Sequence, residues 1–282
     1  MKLEKFSDLP KRIGTAIIGG ALFLYLLLGA GPFGMKTLML VLTLAMLWEW
    51  GRIVFRDNRD ASQKRLLLLL LGGTAMVARW QFDLGYEFIL SLCMIFWTAL
   101  LLLGARRYSD SELGLQVQEL LGGAGGLLWV WLPLQVGADF GLQSGGAKAL
   151  FFFFIVNWSV DVGAYFCGRF LGKRPLFSAV SPKKSIEGAL GAFGVALIVG
   201  ALLGPVLLGA LWKPAWAALL ALTVAVFAQL GDLAESLVKR AFQVKDSSGL
   251  LPGHGGFLDR FDGVLLSLPI MVLGYRVLSS IM

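Results

Sequence analysis

Charge is what this sequence has least of. Asp, Glu, Lys and Arg make up 15% of its 282 residues and hydrophobic residues 57%, whereas soluble globular chains carry about 25% charged and about 45–50% apolar residues. An ordinary soluble globule is thereby excluded, and an all-α, polytopic integral membrane protein is predicted. Cysteine is nearly absent as well. Cys93 and Cys167 both lie in apolar runs, which excludes a disulfide framework and a zinc pattern and leaves a packing role. The first apolar run has no A-x-A-like site after it, so it is expected to stay as a helix.

What charge there is follows the hydropathy. Apolar spans are predicted at about 13–30, 36–55, 66–79, 88–104, 119–137, 149–171, 188–210, 215–235 and 260–281, about nine in one membrane domain, with 1–138 forming an N-terminal half and 149–281 a C-terminal half. Met1 to Arg12 alternates basic and apolar residues, as a short amphipathic segment on the membrane face would. With the N-terminus in the cytoplasm, 20 of the 25 Lys and Arg fall on the inside, and Lys36, Arg79, Lys148, Lys213 and Arg276 on the outside. This matches the positive-inside rule. The net charge of +7 therefore reports orientation and anionic lipid, with no nucleic-acid stripe.

Polar residues inside the spans are the exceptions that point to function. Glu49, between Trp48 and Trp50, is an intramembrane carboxylate, either functional or structural at the interface. In the sixth span Asp161, Ala164, Tyr165, Gly168, Arg169 and Gly172 share one helical face, extended a turn by Asn157, and that face should turn toward a polar cavity. Ser181-Pro182-Lys183-Lys184 follows, just before a glycine-rich helix. Lysines and free N–H groups at a helix start suit phosphate oxygens.

A second constellation closes the eighth span. Asp232, Glu235, Ser236 and Lys239 project from one face, and the loop after them carries Arg240, Lys245, Asp246 and Gly253-His254-Gly255-Gly256 before Asp259, Arg260 and Asp262. Carboxylates on separate helices, with one histidine and no useful cysteine, describe an oxygen site for a hard cation such as Mg²⁺, in one or two copies. Lys239, Arg240, Lys245 and Arg260 would bind phosphates, so the chemistry implied is transfer of a phosphate-containing group. His254 fits a base, a phosphate donor or a structural loop residue equally.

The run Ser236, Lys239-Arg240, Lys245-Asp246, Ser248, Pro252, His254-Gly255-Gly256, Asp259-Arg260 and Asp262 resembles the signature of CDP-diacylglycerol synthases, also called phosphatidate cytidylyltransferases. Asp161 with Tyr165, Gly168-Arg169 and Gly172-Lys173, then Ser181 to Lys184 with Glu187-Gly188, is similar to the family's second block. Val162 and Ser185 depart from it, each standing where the family has Thr. The resemblance covers residues 149–281, and the N-terminal half only in hydropathy and Glu49-Trp50. It implies transfer of CMP from CTP to phosphatidate with release of pyrophosphate, Mg²⁺ dependence, a homodimer, and an active site on the cytoplasmic side of the inner membrane. On that reading Asp232 and Asp259 hold the metal, with Asp246 and Asp262 as supporting or alternative ligands. Asp161 and Tyr165 line the cavity, and Ser181, Lys183, Lys184, Lys239, Arg240, Lys245 and Arg260 bind CTP and lipid phosphates. A CTP-dependent lipid kinase, which would release CDP, and an ion-coupled transporter are the competing readings.

Overall fold

Long apolar runs broken by Gly, Pro and charge dictate a helical protein, because in lipid every backbone N–H and C=O must be satisfied within its own segment. The computed structural model describes residues 9–55, 60–105, 113–251, 253 and 255–282. Helix α1 (Leu9–Leu24) runs into a π-helical turn at Tyr25–Gly29, followed by α2 (Gly31–Val54), α3 (Ala61–Phe82) and α4 (Tyr86–Ala105). Helix α5 (Leu113–Gly126) passes through a second π-helical turn, Leu127–Trp131, into α6 (Leu132–Gly141). The C-terminal half comprises α7 (Gly146–Leu171), strands β1 (Pro175–Phe177) and β2 (Ser181–Ser185), α8 (Ile186–Leu207), α9 (Pro214–Ala241) and α10 (Leu258–Ile281).

Among the described residues six helical segments are long and apolar enough to cross a membrane: Gly31–Val54, Gly114–Gly141, Gly146–Leu171, Ile186–Leu207, Pro214–Ala241 and Leu258–Ile281. Ala16–Gly29 and Tyr86–Leu102 are shorter apolar helices. The expected third span does form a helix, of 22 residues, but Lys64, Arg65 and Arg79 dilute its apolar character. Lys64 is buried against Glu119 in an ion pair, and Arg79 joins Asp139 at 3.0 Å, so these charges are met within the protein. Met1 to Asp8, the core of the expected amphipathic segment, lies outside the described residues.

In the C-terminal half α8 packs between α7 and α9, and α10 packs on α9, while α6 touches α2, α7 and α10 and so joins the two halves. Apolar side chains gain little by leaving lipid for protein, so the association of such helices depends on close packing of small residues. The α7–α8 contact shows this. A Cβ on Gly163 would meet the Val195 side chain at 2.9 Å, and one on Gly191 would meet Cys167 Sγ at 2.2 Å. The Gly122 to Gly126 run is packing too, since a Cβ on Gly123 would fall 1.9 Å from the Trp97 ring. Only 22% of the apolar window of α8 is buried inside the protein, at a mean hydropathy of 2.3, which leaves the rest of that helix to lipid.

Among the described residues, the β1–β2 hairpin is a departure from helix that bears on function. It is antiparallel, pairing Pro175 with Ser185 and Phe177 with Ser181 through an irregular register. The paired lysines therefore lie on an edge strand, where proline is tolerated.

Candidate active site

The polar face of α7 opens onto a cavity of about 540 Å³. Asp161, Tyr165 and Arg169 line one wall, Lys183 and Lys184 come from β2, and Asp232 comes from α9. The two polar constellations of the sequence thus meet across one space. Lys184 forms an ion pair with Asp232, and Arg169 donates to the Tyr165 hydroxyl at 2.7 Å.

Local chemistry explains why the lysines are held there. Ser185 is the N-cap of α8, its Oγ accepting from Gly188 N–H at 3.1 Å, which ends the strand and starts the helix in one residue. Gly188 has to be small, since a Cβ would lie 2.9 Å from the Ala164 carbonyl oxygen. Glu187 accepts the backbone N–H groups of Lys173 and Arg174 at 3.0 and 3.2 Å and pairs with the Arg174 guanidinium at 2.9 Å. The hairpin stem is thereby fixed to the first turn of α8.

Asp161 on α7 and Asp232 on α9 line the cavity, and Asp262 on α10 lies outside its lining. The charges of Asp161, Asp232 and Asp262 act on each other, and those of Lys184 and Arg260 draw on Asp161. Like charges held together in a partly desolvated place repel strongly. A hard, oxygen-liganded cation such as Mg²⁺ fits this donor set. Among the described residues, however, no group of three or more His, Cys, Asp or Glu is already gathered at metal-binding distance.

Asp259 is engaged elsewhere. Its oxygens accept from Lys239 Nζ at 2.8 Å, Ser247 N–H at 2.9 Å, Ser247 Oγ at 2.8 Å and Gly256 N–H at 2.9 Å. The last of these closes the turn just ahead of α10. Lys239 also pairs with the buried Glu235 at 2.9 Å. Gly255, at φ +84°, makes the turn beneath, and its backbone pairs with Leu251. Buried Glu49 on α2 joins the same network, accepting from Ser247, Ser248, Phe257 and Leu258.

The remaining expected residues are spread around the cavity. Ser181 sits in the hairpin opposite Phe177, and Arg240 Nε is 3.5 Å from the Val180 carbonyl oxygen. Lys245 and Asp246 are exposed on the loop, and neither they nor Ser181 and Arg240 line the cavity. His254 lies outside the described residues. Glu235 and Ser247 carry no assigned role in the sequence reading. The only signal for them is position, Glu235 one turn after Asp232 and Ser247 beside Asp246.

Fold and site together define a polytopic helical membrane protein with a cavity walled by opposed carboxylates and lysines, a setting suited to phosphate groups. Residues 10–278 match the cytidylyltransferase family, and the chain belongs to that family. It is 34% identical over 276 residues to a phosphatidate cytidylyltransferase of Brucella suis, covering 95% of this chain and 93% of that one. It is 44% identical over 131 residues to the Bacillus subtilis phosphatidate cytidylyltransferase, covering 46% of this chain and 48% of that one. A Staphylococcus epidermidis protein of the same name is 42% identical over 130 residues, 46% of this chain and 49% of its own.

Proposed function

We propose that the chain transfers CMP from CTP to phosphatidate, giving CDP-diacylglycerol and pyrophosphate in phospholipid biosynthesis. The observation that carries this reading is the convergence of Lys183, Lys184, Asp161 and Asp232 on one cavity in a chain of the cytidylyltransferase family. A phosphatidate phosphate oxygen is already a competent nucleophile. It attacks the α-phosphorus of CTP, a new P–O bond forms, and the bond from that phosphorus to the bridging oxygen of pyrophosphate breaks, its electron pair leaving with pyrophosphate. No side chain has to remove a proton. The protein's work is to align and neutralise phosphates.

Lys183, Lys184 and Arg169 would bind phosphate oxygens across the cavity, with Tyr165 against the acceptor head group, while the acyl chains stay in the bilayer. Asp232 would hold Mg²⁺, with Asp262 as a supporting ligand and Asp161 lining the cavity, and Asp259 would add an oxygen on exchanging one of its present donors. When bound, Mg²⁺ neutralises phosphate charge and aligns the leaving group. Lys239, between Glu235 and Asp259, holds the loop rather than the substrate. On this reading the protein crosses the inner membrane nine times with the N-terminus and site on the cytoplasmic side, and works as a homodimer.

The reaction is tested with CTP labelled at the α-phosphate and phosphatidate vesicles. Label should enter lipid in step with pyrophosphate release. Release of CDP with no label in lipid would refute the proposal and indicate a CTP-dependent kinase.

A further inference from the structure

The loop between α9 and α10 is gripped from outside the C-terminal half. Glu49 is fully buried on α2. Its Oε2 accepts from Leu258 N–H at 2.6 Å and lies 3.1 Å from Ser247 Oγ, and its Oε1 accepts from Phe257 N–H at 3.0 Å and from the Ser248 hydroxyl. The middle of the loop and its junction with α10 are therefore held by one carboxylate, at the start of a helix, where negative charge is favoured. Ser247 Oγ is also 2.8 Å from Asp259 Oδ2, so its single hydroxyl proton is shared between Glu49 and Asp259. The fit has no slack. A Cβ on Gly256 would fall 2.0 Å from Ser247 Oγ and 2.5 Å from Glu49 Oε1.

We propose that Glu49 is a positioning residue for the transferase site, through which the N-terminal half sets the loop and the first turn of α10. It does not line the cavity. It acts by fixing Ser247, and so Asp259, and by fixing the helix start that carries Arg260 and Asp262 toward Asp161 and Asp232. Its charge matters as well as its shape. Whichever way a glutamine amide were placed, its NH₂ group would face the N–H of Phe257 or Leu258, and a backbone N–H, unlike a serine hydroxyl, cannot turn to accept.

The kinetic part of the proposal rests on the transferase reading above, and the structural part does not. The test uses the full chain in detergent micelles, as wild type, Glu49→Gln and Ser248→Ala. Two readouts are taken: amide hydrogen exchange of peptides covering 247–262, with α3 as internal reference, and kcat and KM for CTP and phosphatidate. Glu49→Gln should speed exchange in 247–262 by about tenfold with α3 unchanged. It should lower kcat by about a hundredfold with both KM values within about threefold of wild type. Ser248→Ala removes one donor and should move the same readouts in the same direction by about two- to fivefold.

Unchanged exchange in 247–262, or a kcat within about threefold of wild type for Glu49→Gln, would overturn the proposal. So would a loss expressed as a raised KM for CTP with kcat intact. If Glu49→Gln does not fold, a Ser248→Ala protein indistinguishable from wild type has the same force. A wild-type protein that forms no lipid product would defeat the transferase reading alone, and the exchange measurement would still decide whether Glu49 holds the loop.

Discussion

On the proposed function Lys184 would have two roles, which a single substitution separates. Its ammonium group is ion-paired with Asp232, and the two side chains are 28% and 29% exposed. In this structure the lysine neutralises an oxygen ligand that a divalent cation would need, and on substrate binding it would turn to phosphate. Lys184→Ala should therefore have opposite effects on two constants. A partly exposed ion pair is worth about 1 kcal/mol, so removing the competitor should lower the Mg²⁺ concentration giving half-maximal rate by about fivefold. A charge-assisted hydrogen bond to phosphate is worth about 1.5–3 kcal/mol, so the KM for CTP should rise by about ten- to a hundredfold. Steady-state kinetics with Mg²⁺ and CTP varied independently measure both. Because Lys184 lies on an edge strand at the cavity wall, its loss leaves the helix core intact. A raised KM with an unchanged or increased Mg²⁺ requirement would refute the competition, and an unchanged KM would refute the phosphate contact.

Other substitutions probe the rest of the frame. Asp232→Asn should reduce turnover by about a hundredfold or more while the thermal midpoint in detergent stays near wild type, since on the proposed function it would remove a charged metal ligand at the cavity wall. Glu187→Gln should loosen the hairpin stem, seen as faster tryptic cleavage after Lys173, and should raise the KM for CTP by about two- to tenfold. Gly123→Ala places a methyl group in the Trp97 ring and should destabilise the protein by about 1–3 kcal/mol, read as a lowered thermal midpoint, with recovery when Trp97→Leu makes room.

Much of this arrangement is legible in the residue pattern, because helical periodicity alone puts Asp161, Tyr165 and Arg169 on one face and Asp232, Glu235 and Lys239 on another. What periodicity cannot supply is the pairing between faces, and here it is tertiary: Lys184 meets Asp232, while Asp259 turns from Asp232 toward Ser247 and Gly256. The hairpin escapes a pattern reading because its strands hold three and five residues, each with a proline. The apolar run of α3 is flanked by Lys64 and Arg79, which find partners on helices far along the chain. Glu49 is visible as a costly intramembrane acid. Its partners stand about two hundred residues away in sequence, so its purpose appears only in three dimensions.

The glycines at the α7–α8 crossing bear on how the cavity changes shape. With Gly188 against the Ala164 carbonyl and Gly191 against the Cys167 side chain, the two helices meet with no room for a further methyl group, and that seam has little freedom to open. Any widening that admits a bulky nucleotide and a lipid head group would then come from the opposite side, by breaking the Lys184–Asp232 bridge. Entry and the first step of site assembly would in that case be the same motion.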